Sequence, residues 1–245
     1  MNLFHFRGVP AGLTAVLFAV VARIMGSVTD GGAIMGLAVA FLLMVCAGFA
    51  GFMPLLTLFL LTVLSTRWGW RRKRRLGVAE RTGGRTASQV LANLGVAACC
   101  AAPVIWFPEF SDVLLTAAMA ALAEAAADTV SSEVGQASAK AAYLILDFRS
   151  VPIGTNGAVS FAGTLSGAVA ACIVAWVSGI FAVVSWFWVP VIAIAGTAGM
   201  LIDSLLGATL ETAGRVGNDS VNFVSTVCAA DLALITSLAL ERVTK

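Results

Sequence analysis

Long apolar runs alternate with short polar segments from residue 10 to residue 240 of this chain. A helix needs about 20 apolar residues to cross the roughly 30 Å of hydrocarbon in a bilayer, and most runs approach that length. Gly51 and Met53-Pro54, which can turn or kink a helix, interrupt the longest run. We expect an all-α bundle of seven or eight membrane spans in one domain, 1–245, with apolar runs at Pro10–Ile24, Ala33–Gly51, Phe52–Thr66, Val90–Trp106, Val113–Ala127, Phe161–Trp176, Ile180–Ala198 and a last run that ends at Leu240.

The composition excludes a soluble domain. The chain is 60% hydrophobic and 11% charged, with a mean hydropathy of +0.96, whereas soluble domains are about 45–50% apolar and about 25% charged. We therefore expect an integral, multi-pass membrane protein, and no segment has the pattern of a removable signal peptide. The five cysteines all fall inside apolar runs, which predicts reduced packing residues: Cys46, Cys99, Cys100, Cys172 and Cys228.

A strongly basic segment follows the first spans, which residues 1–66 form as a scaffold. Residues 67–85 hold eight of the fifteen lysines and arginines, and the positive-inside rule places the loop 67–89 in the cytoplasm. Arg71–Arg75 could anchor the topology at anionic headgroups or meet a bound phosphate. This orientation predicts a site at the cytoplasmic face of the plasma membrane and an outer aromatic belt of Trp106, Trp176, Trp186 and Trp188.

In the stretch Leu122–Gly135 an apolar span ends, and residues with carboxylate and hydroxyl side chains follow. Glu124 lies four residues before Asp128, so the two carboxylates share a helix face. They repel each other unless a cation or a proton lies between them. The stretch predicts a divalent-metal and phosphate site at the membrane surface, and its polar members after Glu124 are Asp128, Ser131, Ser132 and Glu133.

A unit made of a glycine-containing loop, two spans and an aspartate followed by hydroxyls occurs twice, from Gly84 to Asp128 and from Gly157 to Asp203. Two spans return the chain to the side on which they began. We therefore expect a parallel internal repeat over residues 83–211, with both loops and both aspartates at the cytoplasmic face. Membrane proteins often bind substrates between such repeats. Residues 217–245 form the last span and tail.

Oxygen-bearing side chains from several segments converge on this face by topology alone. Carboxylate and amide oxygens suit Mg²⁺, which keeps waters and bridges phosphates. The expected metal ligands are Glu124, Asp128, Glu133, Asp203, Asn218, Asp219 and Asn222. Asn218 or Asp219 could instead be the N-cap of the last helix.

Glycines and hydroxyls at helix starts predict contacts with phosphate, because free N–H groups there attract anions. The expected nucleotide- and phosphate-binding residues are Gly83, Gly84, Thr86, Ser88, Asn93, Ser132, Gly154, Thr155, Asn156, Gly157 and Ser204. For catalysis we expect Asp128, Asp203, Lys73 and Arg85, with Arg74, Arg75 and Arg81 as further basic candidates. This set matches phosphoryl transfer, in which positioning and charge neutralisation dominate.

Other catalytic classes lack their motifs in this sequence. No Walker lysine motif, protein-kinase set, nucleophile elbow or zinc spacing is present. His5, the single histidine, precedes the first span on the expected outer side, which argues against a histidine base.

Five motifs occur in a specific order: Lys73–Asn93, Ala127–Gly135, Val151–Gly157, Leu201–Leu210 and Asn218–Asn222. Together, over about residues 70–225, they resemble a family of polytopic membrane proteins that includes the plastid phytyl-phosphate kinase. The chain departs from the family pattern at Ile153 and Ala158, where the family has proline and glycine. The resemblance implies a kinase that adds a second phosphate to an isoprenoid monophosphate, such as phytyl or geranylgeranyl phosphate. It also implies a nucleoside triphosphate donor, CTP or ATP, with Mg²⁺ as the metal.

Two other functions stay open from the sequence. A transporter or flippase could carry a phosphorylated lipid or anion through the repeat interface, and the mid-span Asp231 favours it, although the polar motifs cluster at one face. A structural membrane protein could use small residues to pack helices closely, at Gly163, Gly167, Gly196 and Gly199, but this does not account for the acids. Asp231 could be neutral, line a wet cavity or pair with Arg23. The expected partners are lipid phosphate, nucleotide and membrane, with no nucleic acid, and the oligomeric state and prenyl chain length stay open.

Overall fold

The computed structural model describes residues 3–79 and 83–244, so Arg81 lies outside the described residues, as do the side chains of residues 3–8, including His5. Within these ranges the chain is an all-α polytopic bundle, as predicted. Its helices are α1 (Leu3–Ile24), α2 (Asp30–Arg67), α3 (Trp70–Leu76), α4 (Ala87–Ala101), α5 (Ser111–Ser138), α6 (Phe161–Ile180), α7 (Val189–Leu206) and α8 (Asn218–Thr244). Short 3₁₀ turns cover Ala102–Ile105, Pro108–Phe110 and Trp186–Trp188, and a π turn at Gly207–Glu211 extends α7.

Six helical segments among the described residues are long and apolar enough to cross a membrane: Asp30–Arg67, Ala87–Ile105, Pro108–Ser138, Phe161–Ile180, Trp186–Glu211 and Asn218–Leu240. A shorter apolar stretch, Val9–Ile24, belongs to α1. The chain is therefore a multi-pass integral membrane protein.

Helix α2 is folded back on itself at Gly48, whose φ of 68° is left-handed. A Cβ placed on Gly51 would lie 2.6 Å from the carbonyl oxygen of Leu43. In a straight helix these residues would be about 12 Å apart along the axis. The two arms, residues 30–47 and 49–67, thus run side by side in opposite directions. They correspond to the second and third predicted spans, and the turn lies at Gly48 instead of Gly51 or Met53-Pro54.

Helix α5 is the centre of the bundle and packs against α2, α4, α6, α7 and α8. Alanine dominates its middle, where Ala117, Ala118 and Ala120 are each at most 1% exposed. The absence of long side chains there lets neighbouring backbones approach closely, as small residues do between membrane helices. Glycines on α6 and α7 complete these contacts, because a Cβ on any of them would lie within 3 Å of an atom of α5: Gly163, Gly167, Gly196 and Gly199. The packing role predicted for these four glycines therefore agrees with their positions.

One end of the bundle, here called the motif face, collects the ends of α1, α5 and α7 and the starts of α4, α6 and α8. The turn between α1 and α2 is bonded to the start of α4, since the N–H of Thr29 donates to the carbonyl of Arg85 at 3.0 Å. Ser88 of α4 donates to Asp219 of α8. The motif face is thus one continuous surface built from segments that are distant in sequence.

The opposite end of the bundle carries the aromatic residues expected in the outer belt. Trp106, Trp176 and Trp186 are 69%, 63% and 54% exposed, as the belt requires. Trp188 is 5% exposed and belongs to the buried core, and it packs edge-to-face on the exposed ring of Phe187. It is therefore a core residue and not a member of the belt.

The loop 140–160, which the sequence leaves without strands, contains a small antiparallel sheet. Its strands are β1 (Ala142–Leu144), β2 (Ser150–Val151) and β3 (Ala158–Val159), in the order β2-β1-β3. The sheet fixes the ends of the turn 152–157 and holds it over the motif face.

The two sequence units, Gly84–Asp128 and Gly157–Asp203, both begin and end at the motif face. The sheet precedes only the second unit, and the internal repeat stays a prediction. Asp231 lies on the surface of α8, and Arg23 pairs with Asp30 instead of Asp231.

Candidate functional site

A polar pocket opens at the motif face between α4, α5, α7, α8 and the loop 153–160. We call the space that these segments enclose the polar pocket. It brings together most of the predicted site residues: Arg85, Asn93, Asp128, Ser132, Glu133, Gly154, Thr155, Asn156, Gly157, Asp203, Ser204, Asn218 and Asn222. Residues more than 100 positions apart in the chain thus share one cavity.

The centre of the pocket is a pair of carboxylates on adjacent helices. Asp128 of α5 and Asp203 of α7 both line the pocket and are close enough for their charges to interact. Ser225 donates to Asp203 at 3.1 Å. The amide of Asn222, in the orientation that satisfies both of its ends, donates to Asp203 at 3.2 Å and accepts from Asn93 at 3.3 Å. The pair is therefore held from α4 and α8 as well as from its own helices.

Glu124 lies one helical turn deeper than Asp128 and is 1% exposed. Neither of its carboxyl oxygens has a hydrogen-bond partner within the described part of the chain. Gly199 makes room for it, because a Cβ there would lie 2.5 Å from the Glu124 Cγ. A buried carboxyl without a partner is costly, so Glu124 is suited to a proton or a cation shared with the pair above it.

Among the described residues that line the pocket, the basic one is Arg85, which precedes α4. Its N–H donates to Ser27 and its carbonyl accepts from Thr29, each at 3.0 Å, so its backbone is fixed against the turn between α1 and α2. Its guanidinium donates to Thr129 of α5 at 3.3 Å. Arg85 therefore spans the pocket from one wall towards the other.

Acidic groups outnumber basic groups among the described residues that line the pocket. Asp128, Asp203, Glu133 and Glu211 line it with Arg85, and the charge of Glu133 is compensated by Lys73, which lies behind the wall. A phosphate would be repelled by this balance at close range, whereas a divalent cation would be attracted. No group of three or more His, Cys, Asp or Glu side chains in the described ranges is arranged to hold a metal by itself. The donor set suits a hard cation that keeps waters and shares its remaining positions with phosphate oxygens.

Lys73 does not occupy the position that its predicted catalytic role requires. Its side chain is fully buried, forms an ion pair with Glu133 and donates to the carbonyls of Ser65 and Thr66 at 3.1 and 2.7 Å. These contacts use the three protons of the ammonium group. Lys73 therefore fastens α3 to α2 and α5 and does not reach the pocket. Glu133, predicted as a metal ligand, is neutralised by the same pair.

Several other predicted residues lie beside the pocket instead of in it. Gly83 and Gly84 line a neighbouring cleft with Arg67 and Trp70. Thr86 is the N-cap of α4 and forms a capping box with Gln89. This capping role accounts for a hydroxyl side chain at position 86, and no bound ligand is needed to account for it. Ser88 and Asp219 bond to each other at the rim.

The structure adds residues that sequence reasoning missed. Gln89, Gln136 and Glu211 line the pocket. Gln89 and Gln136 are each one helical turn from a predicted residue, Asn93 and Ser132, and helical spacing could have found them. Glu211 is the last residue of the π turn, a feature that often marks functional sites and that apolar periodicity does not reveal.

Gly157 is where the turn 152–157 meets the π turn after α7. Its φ is 73°, and a Cβ there would lie 2.4 Å from the backbone nitrogen of Ala208. We expect Gly157→Ala to destabilise the fold by about 1–3 kcal/mol and to displace this wall of the pocket. Gly214→Ala is the matched control, because Gly214 has a φ of 66° and open space around it.

Thermal unfolding in detergent measures both variants. If Gly157→Ala and Gly214→Ala are equally stable, the loss of stability comes from left-handed backbone strain and not from the contact with Ala208.

Comparison with known proteins places the chain among membrane proteins of distant organisms. It is 32% identical over 190 residues to an uncharacterised membrane protein of Synechocystis sp., covering 76% of this chain and 74% of that protein. It is 32% identical over 200 residues to an uncharacterised membrane protein of Methanocaldococcus jannaschii, and the match covers 80% of this chain and 79% of that protein. It is 29% identical over 211 residues to the chloroplastic protein VTE6 of Arabidopsis thaliana, and the match covers 82% of this chain and 63% of that protein.

No solved structure matches the chain. Residues 13–230, which include every residue of the polar pocket, match the family described as integral membrane protein DUF92. The chain therefore belongs to the DUF92 family of integral membrane proteins, and the motif-based family expectation is confirmed.

Proposed function

We propose that this protein is a membrane phosphotransferase that moves a phosphoryl group from a nucleoside triphosphate to an isoprenoid monophosphate, giving the diphosphate. The observation that carries the proposal is the carboxylate pair Asp128–Asp203 in a polar pocket at one face of a membrane bundle. A lipid monophosphate places its head at that level and its chain in the bilayer.

The acidic balance of the pocket favours a cation as the link between protein and phosphates. Mg²⁺ would neutralise the phosphate oxygens and orient them for in-line attack. Asp128 and Asp203 would hold it, with the carboxyl of Glu124 as a further oxygen donor and the amide of Asn222 holding Asp203 in place. Asn218 and Ser204 line the same space and are placed to bind the waters that Mg²⁺ retains.

The reaction needs little acid–base chemistry. An oxygen of the lipid monophosphate attacks the γ-phosphorus of the donor, the bond from this phosphorus to the β–γ bridging oxygen breaks, and the nucleoside diphosphate leaves. The attacking phosphate is already anionic near pH 7, so no general base is required. The problem is repulsion between anions, and Arg85 supplies positive charge where the two phosphates meet.

The turn 152–157 also faces the pocket. Gly154, Thr155, Asn156 and Gly157 line it together with Arg85 and the two carboxylates. Glycine there leaves backbone groups unobstructed by side chains. We assign this turn to the donor phosphates.

The family supports the proposal at a coarser level. The motifs resemble the family of the plastid phytyl-phosphate kinase, and VTE6, a relative from Arabidopsis, is a chloroplastic protein. The prenyl substrate, the donor nucleotide, the metal and the cytoplasmic orientation of the site are parts of this proposal.

A direct assay tests the proposal. Purified protein in detergent receives phytyl or geranylgeranyl monophosphate, γ-labelled CTP or ATP, and Mg²⁺. We expect labelled diphosphate, no product after chelation with EDTA, and recovery when Mg²⁺ is restored. Failure to form diphosphate with either lipid and either nucleotide would contradict the proposal.

The transporter alternative predicts movement of the lipid phosphate across proteoliposomes without chemical change. The polar pocket lies at the motif face, whereas transporters bind substrate near the midplane. This position favours the transferase.

A further inference from the structure

A second cavity, lined mainly by apolar side chains, lies between α1, the two arms of α2, and α4. We call it the lipid chamber and define it by residues that line it: Phe18, Gly36, Leu55, Phe59 and Leu94. Arg85 and Asn93 line the lipid chamber and the polar pocket alike. The two spaces therefore meet at these side chains.

We propose that the lipid chamber holds the part of the isoprenoid chain next to the phosphate, while the phosphate itself binds at Arg85 in the polar pocket. The inference rests on the proposed function for the identity of the lipid. Its physical basis is that one ligand with an anionic head and an apolar chain satisfies both spaces at once. Burial of an apolar chain against apolar walls is favourable in proportion to the area covered.

The depth of the chamber suits the first part of such a chain. Thr62 lies at its upper end and Leu55 lower on the same arm of α2, seven residues or about 10 Å further into the bilayer. Helix α1 packs on α2, and α4 packs on α2, α5 and α8, whereas α1 and α4 are not a packed pair in the described residues. The rest of a long chain can leave between α1 and α4 into the lipid.

Thr62 marks the polar end of the chamber. It is 9% exposed, and its hydroxyl has no hydrogen-bond partner within the described ranges. Thr62 lines the chamber and the neighbouring cleft near Arg85. Thr62 does not line the polar pocket, so the acceptor we assign to this buried hydroxyl is the ester oxygen that joins the chain to the phosphate.

A competing surface is available for comparison. An apolar furrow between α2, α5 and α6 is lined by Leu61, Val134, Leu165 and Ile173. It shares no described lining residue with the polar pocket, so a chain lying there could not continue into a phosphate at Arg85. The furrow therefore serves as the alternative location in the test.

Photolabelling with full-length purified protein locates the chain. The probe is an isoprenoid monophosphate that carries a diazirine on the part of its chain next to the phosphate, and adducts are mapped by mass spectrometry. We expect adducts around Phe18, Leu55–Phe59 and Leu94, removed by excess unlabelled geranylgeranyl monophosphate. Adducts along the furrow at Leu165 and Ile173, or adducts that competition leaves unchanged, would overturn the inference.

Gly36→Leu fills the chamber without a clash, because a Cβ on Gly36 meets nothing within 4 Å. It should weaken competed labelling about tenfold, since the chain loses roughly two methylene groups of burial. Gly12→Leu is the control, because Gly12 on α1 also has open space but lies outside the chamber. Equal labelling of both variants would contradict the assignment.

The labelling result and the diphosphate assay are independent. Competed labelling in the chamber without diphosphate formation would retain the chamber and remove the transferase. Diphosphate formation with labelling in the furrow would retain the transferase and remove the chamber.

Discussion

Replacing Asp203 with Asn is expected to lower the rate of phosphoryl transfer by about 10²- to 10³-fold, the usual effect of removing one group that stabilises a transition state electrostatically. The change keeps the size of the side chain and removes its charge. Ser225 and Asn222, which now donate to the carboxylate, would face an amide, and the cation that we propose between Asp203 and Asp128 would lose a ligand. Initial rates of diphosphate formation at saturating Mg²⁺ measure the effect, and Asp128→Asn should behave alike.

Asp219→Asn is the matched control. Asp219 was also predicted as a metal ligand, but it accepts from Ser88 at the rim and does not line the polar pocket. This variant should keep a rate close to that of the wild type. An equal loss in Asp219→Asn and Asp203→Asn would move the metal site to the rim, and full activity of Asp203→Asn and Asp128→Asn would remove both aspartates from the metal site.

Replacing Lys73 with Met should destabilise the protein by about 3–5 kcal/mol, because Glu133 would be left largely buried without its cation. The Lys73 side chain is 0% exposed and that of Glu133 is 11% exposed. The carbonyls of Ser65 and Thr66 would lose a donor as well. Thermal or denaturant unfolding in a fixed detergent gives the change in the free energy of unfolding.

Two variants accompany that experiment. Arg74→Met changes an exposed neighbour on α3 and should leave stability nearly unchanged. Lys73→Met combined with Glu133→Leu should recover much of the loss, because no charge is left buried. A single Lys73→Met variant as stable as the wild type would show that the ion pair does not hold α3 to the bundle.

The architecture was largely predictable because a bilayer leaves few options. Backbone groups in hydrocarbon must be satisfied within the segment, so apolar runs of the observed length predict helices. The turn in α2 was placed at Gly51 or Met53-Pro54 because glycine and proline interrupt helices there. The structure turns at Gly48, the glycine that adopts a left-handed conformation, and Gly51 looked equivalent to it in sequence.

The site was predictable where topology alone decides proximity. Asp128, Asp203 and Asn222 end or begin spans on one face, and they meet there. Lys73 was misplaced because a basic segment says which side of the membrane a residue occupies but not whether its side chain is buried. The partner that buries it, Glu133, is 60 residues away and was assigned to the metal.

Local chemistry also competes with function at helix ends. Thr86 has the residue type expected of a phosphate contact, and the capping box with Gln89 accounts for it instead. The small sheet that positions Asn156 and Gly157 was missed because its strands have two or three residues each, too few for an alternating pattern.

Binding of Mn²⁺ as a substitute for Mg²⁺ tests the shared-cation site most directly. Electron paramagnetic resonance reports the free Mn²⁺ remaining as purified protein is titrated in the presence of geranylgeranyl monophosphate. The account predicts tight binding by the wild type and by Asp219→Asn, and loss of that binding when Asp128 and Asp203 are both changed to Asn. Unchanged Mn²⁺ affinity in the double variant, with the protein folded, would contradict it.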